Sequence, residues 1–444
     1  GDRVAIWAPN RWEWIVAALA IHSVGAVLVP LNTRYKGQEA RFILEKSGAR
    51  LLFTVDDFLG LGLAEQAGAV ETVVFGDARW EALLSAPARK VLGPTPDDLS
   101  DILFTSGTTG HPKGVMTTHA QTLRAFWDWA SVVGLERGDR YLVVAPFFHC
   151  FGYKAGWLAC LMKGATILPQ ATFDVDEVLE RIPRDRVSVL PGPPALYQTL
   201  LMRELRGADL SSLRLAVTGA ATIPVRLIER MRGPVEEGGL GFDTVITGYG
   251  LTEACGIATM CRFDDDPETI ARSSGRTIPD VEVKVVDAHG AELPTGEPGH
   301  VLVRGYNVMR GYWQEPEQTA ETVVEGWLHT GDVGIINDRG YLRITDRIKD
   351  MVIVGGFNVY PAEVEHTLME LPGVREVAVV GMPDERLGEV CCAFIVGEAV
   401  EDEVIAWCRE RMANFKVPRR VIRLDALPRN ASTKVQKFRL RELL

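Results

Sequence analysis

The chain has 444 residues, and 48 Lys and Arg against 59 Asp and Glu leave a formal net charge of −11. That balance excludes a global attraction to nucleic acid or anionic lipid. With 47% hydrophobic and 24% charged residues, it also excludes a disordered or fibrous chain.

The first residues, Gly1-Asp2-Arg3, lack a Met and run straight into an apolar strand at 4–7, which reads as a chain whose natural N-terminus lies upstream. Asn10 is the expected N-cap of a helix reaching residue 21, followed by a strand at 26–29. The apolar stretch 15–31 is broken by His22, Ser23, Gly25 and Pro30, so no transmembrane segment is expected. A helix at 38–46 stops at Gly48, and a strand follows at 51–55. Strands are predicted at 141–145, 165–168, 187–190, 213–218 and 244–247, with helices at 154–162, 175–182, 195–205 and 225–231. This alternation implies parallel sheets covered on both faces. From residue 281 the texture becomes short alternating strands (281–286, 300–304, 341–344) with Gly/Pro turns, a β-rich subdomain. Beyond residue 346, a helix (363–371), strands (376–380, 390–396) and a helix (401–412) form a small α+β unit. The expected organisation is α/β: a large domain, 1–348, of parallel-sheet lobes plus the β-rich part, and a small mobile domain, 349–444.

Seven cysteines, an odd number without any CxxC, point to buried thiols and a reducing, cytoplasmic setting. The most informative segment is Phe104-Thr105-Ser106-Gly107-Thr108-Thr109-Gly110-His111-Pro112-Lys113-Gly114. Glycines let backbone N–H groups approach phosphate oxygens, hydroxyls add donors, and the lysine adds charge. The GxxxxGK[ST] order of a Walker A loop is absent. A plain surface turn is the competing reading, and the strand-like Ile102-Leu103-Phe104 before it favours a phosphate loop.

Residues 105–114 resemble the phosphate loop of the adenylate-forming superfamily, which includes acyl-CoA synthetases, 4-coumarate ligases, luciferases and peptide-synthetase adenylation domains. Tyr249-Gly250-Leu251-Thr252-Glu253-Ala254, Thr330-Gly331-Asp332, Asp346-Arg347-Ile348-Lys349-Asp350, the segment Gly355 to Glu365, and Pro428 to Lys434 resemble further family boxes, in the family's order. The resemblance implies an AMP-forming ligase: a carboxylic acid and ATP give acyl-adenylate and pyrophosphate, and thiol attack then releases AMP.

By that resemblance Thr105, Ser106, Gly107, Thr108, Thr109, Gly110 and Lys113 hold the β- and γ-phosphates. Glu253 is the magnesium ligand, a hard carboxylate for a hard cation, although a helix-start glutamate is the plain alternative. Thr252 meets the α-phosphate, and Tyr249 and Gly250 lie at the adenine, as do Gly219, Ala220 and Ala221, whose small size equally suits helix–strand packing. Asp332 accepts from the ribose hydroxyls and Arg347 assists there. Lys434 is the adenylation lysine, with Lys437 close by in sequence. Thr433 stands where the common pattern has Gly, and Val354 where a small residue is usual. Lys349 is the hinge about which the small domain rotates, bringing the Gly355-Gly356 loop to the site. His149, in an aromatic stretch, gates the acid pocket or is an ordinary core histidine.

The implied reactants are ATP, Mg²⁺, coenzyme A and a small carboxylic acid; a homodimer stays open. The expected pocket segments (147–157, 191–197, 219–222, 249–260 and near 281) are apolar without an obvious buried acid, which disfavours an amino-acid substrate. The wording of 147–156 and 217–224 is most similar to actinobacterial fatty-acid-type acyl-CoA ligases, among them those acting on the bicyclic propanoate left from steroid degradation. A stand-alone enzyme loading a carrier protein and a non-catalytic acyl- or nucleotide-binding relative are the alternatives.

Overall fold

The computed structural model describes every residue except 106–111, 220–222, 348–349, 355–356, 385, 413 and 430–433. Its first sheet has seven strands in the order Gly311–Tyr312, Lys113–Thr118, Leu99–Thr105, Val27–Pro30, Arg3–Trp7, Leu51–Thr54, Glu71–Val74. The last five run parallel, and Ala5, Ile6 and Trp7 are fully buried, as expected of a strand covered on both faces. Lys113–Thr118 returns antiparallel on Leu99–Thr105, so the two strands that flank the phosphate-loop segment form a hairpin pair.

A second sheet pairs Thr166–Pro169 with Arg140–Val143, and Leu215–Gly219 with Thr244–Tyr249, all in parallel. Val189 joins the two halves by single bridges to Tyr141 and Leu215. The strand expected over 187–190 is therefore one residue of pairing. The β-rich part is an antiparallel sheet of Val281–Val286, Gly299–Gly305, Trp327–Ile336 and Leu342–Arg347, with Val323–Val324 at its edge. The C-terminal sheet combines Val352–Val354, Phe357–Val359, Val374–Asp384, Gly388–Gly397 and Arg420–Arg423, and builds cores separate from that of the preceding chain.

Two local expectations need correction. Asn10 does not cap a helix: Trp12–Ser23 starts after Arg11 with no side-chain cap, and the Asn10 amide is spent on a distant loop described below. The continuous helix over 154–162 is instead Cys150–Gly152, a wide π-turn Tyr153–Leu158 broken at Gly156, and Ala159–Lys163. The helix His119–Val132, opened by a Thr118/Gln121 capping box, was not anticipated. Among the described residues no helix is long and apolar enough to cross a membrane.

Candidate active site

The hairpin sets Thr105 opposite Lys113. Gly114 has no room for a side chain, since a Cβ would stand 2.7 Å from Ile102 Cγ2. The Lys113 ammonium lies 5.2 Å from the centre of the Tyr312 ring. Tyr312 in turn donates its phenol to Glu253 Oε1 at 3.0 Å. Burial first, and the Glu253 charge second, push the Tyr312 phenol well above its ordinary range, so it remains a donor. The Glu253 carbonyl accepts from Met309 N–H at 2.8 Å, which fixes the backbone as well.

Glu253 sits in a single 3₁₀ turn, Thr252–Ala254, just past the strand Thr244–Tyr249. The chain folds back tightly: a Cβ on Gly250 would be 2.2 Å from the Gly256 carbonyl oxygen. Gly219 ends the neighbouring strand, and a Cβ there would meet the Gly248 carbonyl oxygen at 3.0 Å. Tyr249 donates its hydroxyl to Asp332 Oδ2 at 2.5 Å, and Asp332 is nearly buried. One carboxylate oxygen is thereby engaged, and a carboxylate has room to accept further bonds.

Asn10 organises the chain that leads to His149. The Asn10 amide donates to the Val143 and Ala145 carbonyls at 3.1 and 2.9 Å, and its Oδ1 accepts from Phe147 N–H at 2.7 Å. His149 Nδ1 accepts from Phe151 N–H at 3.2 Å. The residue is exposed, although protein groups crowd the ring. Desolvation first, and the nearby Lys434 ammonium second, lower its pKa to about 4. The next residue, Cys150, is buried, its thiol pushed up to about 12 by burial, and it hydrogen-bonds the Thr252 side chain.

Lys434 itself is exposed; its neighbour Val435 bridges to Arg429, and Gln436 N–H donates to the Pro428 carbonyl at 2.8 Å. Lys437 forms an ion pair with Glu365 at 2.8 Å, within the C-terminal unit. Lys113, Tyr312, Glu253, Thr252, Cys150 and His149 therefore follow one another through side-chain contacts or as chain neighbours, and the Lys434 charge acts on His149. Tyr312 and Cys150 were not singled out in the sequence as site residues, and Asn10 was read there only as a helix cap; their roles depend on partners distant along the chain. Ser106, Gly107, Thr108, Thr109, Gly110, Ala220, Ala221, Lys349, Gly355, Gly356 and Thr433 lie outside the described residues, as does the side chain of Arg347.

The described residues contain no group of three or more His, Cys, Asp or Glu that could cage a metal. A single half-buried carboxylate beside a phosphate-type hairpin fits Mg²⁺ carried in on phosphate oxygens, the cation's usual arrangement.

Residues 1–313 match the family model of the AMP-binding enzymes, and residues 363–434 that of the AMP-binding enzyme C-terminal domain. The chain belongs to the AMP-binding enzyme family. It is similar to the 3-[(3aS,4S,7aS)-7a-methyl-1,5-dioxo-octahydro-1H-inden-4-yl]propanoyl:CoA ligases of Mycobacterium tuberculosis H37Rv, at 50% identity, and Rhodococcus jostii RHA1, at 48%. Each match covers 100% of this chain and 89% of the relative. Among solved structures, an anthranilate CoA ligase in complex with anthranoyl-AMP superposes with a TM-score of 0.91 at 30% identity, covering 100% of this chain and 87% of the other. The α/β fold is thus that of adenylate-forming enzymes, and this AMP-binding enzyme falls in the AMP-forming acid–thiol ligase class.

Proposed function

We propose that the enzyme activates a compact, ring-bearing propanoate with ATP and Mg²⁺ as the acyl-adenylate, and then transfers the acyl group to CoA. The observation that carries this reading is the Lys434 ammonium within electrostatic reach of His149, whose neighbour Cys150 binds Thr252. A mobile cation there meets both the incoming carboxylate and the α-phosphate, and offsets the repulsion between two anions. In this reading Thr105 to Gly110 and Lys113 hold the outer phosphates, and Glu253, oriented by Tyr312, holds Mg²⁺ with them. Asp332 and Arg347 take the ribose, and Gly219 to Ala221, Tyr249 and Gly250 flank the adenine. The small domain, from about residue 349, then rotates so that Gly355-Gly356 replaces Lys434. The acid assignment draws on the roughly half-identical ligases whose names carry a dioxo-octahydroindenyl propanoate.

The test is incubation with ATP, Mg²⁺ and CoA against the bicyclic dione propanoate, a long-chain fatty acid and a phenylpropenoic acid, following AMP and thioester. Preference for the bicyclic acid is expected. Preference for either other acid would reject the substrate, and no AMP with any acid would reject the ligase reading. Adenylate that persists with CoA and is consumed only by an added carrier protein would reassign the acceptor.

A further inference from the structure

Directly behind the Thr252–Ala254 turn lies a charge pair that the chemistry above does not use. The side chains of Lys154 and Asp101 are fully buried, with Nζ 3.0 Å from Oδ1. Nζ also donates to Thr117 Oγ1 at 2.8 Å and Thr122 Oγ1 at 3.2 Å, and reaches Cys255 Sγ at 3.7 Å. Asp101 accepts from Ser100 Oγ at 2.6 Å and Thr117 Oγ1 at 2.8 Å, and is bonded by the Tyr153 hydroxyl. So many partners offset the cost of burying both groups. Stability alone does not account for such a pair, since two well-packed apolar side chains usually serve as well or better.

Cys255 supplies the missing purpose. It closes the Thr252–Ala254 turn with φ +56° and ψ +13°, a left-handed backbone that a residue with a Cβ adopts only when its surroundings impose it. Among the described residues six non-glycines have positive φ, and Cys255 alone of them is buried. Its sulfur is what the Lys154 ammonium and the Thr122 hydroxyl touch. Asp101 lies on the strand Leu99–Thr105 that leads into the phosphate hairpin, and Lys154 on the π-turn that follows His149 and Cys150. One ammonium thus braces three walls of the site.

We propose that Lys154, paired with Asp101, is a positioning residue for the Thr252–Glu253 turn, acting through the sulfur of Cys255. The inference rests on the ATP-dependent reading above. Its test measures the two half-reactions separately, with thermal melting as a control for folding. The charge-neutral double variant Lys154→Met/Asp101→Asn is expected to lower adenylation kcat by about tenfold and to raise the Mg-ATP requirement, because small misplacements of reacting groups are costly in rate. Thioester formation from preformed acyl-adenylate is expected to change by less than about twofold. Adding Cys255→Gly should restore most of the adenylation rate, because glycine takes the left-handed conformation unaided. In the otherwise native enzyme, which needs no folding rescue, Cys255→Ala should slow adenylation and Cys255→Gly should not. Native adenylation in the double variant, equal loss in both half-reactions, or identical behaviour of the Ala and Gly variants overturns the proposal. Wild-type turnover alongside any of these leaves the ligase reading standing; a wild type that adenylates no acid overturns both.

Discussion

The Lys434 ammonium lies within electrostatic reach of the His149 imidazole, whose pKa is lowered to about 4 by desolvation first and by that cation second. In the proposed mechanism the neutral ring adds no charge of its own, and the lysine supplies the charge that meets the incoming carboxylate.

Lys434→Ala is therefore expected to depress adenylation by about a hundredfold or more, in line with removal of a group aimed at developing charge. Thioester formation from preformed acyl-adenylate should be spared. A change at Gly355-Gly356 should do the reverse. Pyrophosphate exchange and a single-turnover thioester assay read the two steps, and equal losses in both for both variants would reject domain rotation. In the same Lys434→Ala protein, NMR titration should show His149 moving up towards 6.5.

Tyr312→Phe removes a 3.0 Å hydrogen bond from Glu253 Oε1 and leaves the ring packing intact. The carboxylate remains but loses its orientation, so the Mg²⁺ dependence of adenylation should shift to higher concentration. Losses of about tenfold at low Mg²⁺ are expected, largely recovered at saturating Mg²⁺, as for a lost contact that orients a metal ligand. An unchanged Mg²⁺ midpoint would show that this bond does not orient the ligand.

What was legible in the sequence follows from how local the chemistry is. A phosphate loop, a Tyr-Gly-Leu-Thr-Glu turn or a lysine loop is one contiguous string, so the candidate residues could be read from their order. Tyr312 meets Glu253 across 59 positions, and Asn10 meets Val143 across 133, and no periodicity records such partners. Asn10 carries the side chain of a good N-cap, and the cap reading failed because three buried backbone groups compete for it. Lys154 was hidden in an apolar stretch, where its counter-ion comes from the separate strand Leu99–Thr105. The π-turn at Tyr153–Leu158 was also out of reach, because a 3.6-residue pattern fits it as well as it fits an α-helix.

Stability at acid pH should fall through the histidines. His22, hydrogen-bonded to the Tyr153 hydroxyl at 2.9 Å, is lowered to about 4, by desolvation first and by the charges of His119 and Lys154, against the pull of Asp101. The unfolded chain titrates near 6.5 and the folded one near 4, so between these values the unfolded state binds more protons. Stability is then complete above 6.5 and is lost as pH falls towards 4. The urea midpoint should drop across that window, and His22→Gln should flatten part of the slope. A midpoint independent of pH there would contradict the assignment.

Asn10→Ala is expected to act on both the fold and the acid pocket. The side chain satisfies two buried carbonyls and one N–H in the segment 143–147 that leads to His149. Alanine leaves these groups unpaired in a space closed to bulk water, and each buried unsatisfied group costs about 1–3 kcal/mol. Relaxation will let some of them find water, so a total loss of about 3 kcal/mol is expected, read as a lower urea midpoint. The loop that carries His149 also loses its anchor. The KM for the acid should accordingly rise several-fold, while the KM for ATP, which the proposed function puts on the hairpin and the Tyr249–Glu253 side, should hardly change. An equal rise in both constants would mean that Asn10 supports the whole domain and not the acid wall in particular.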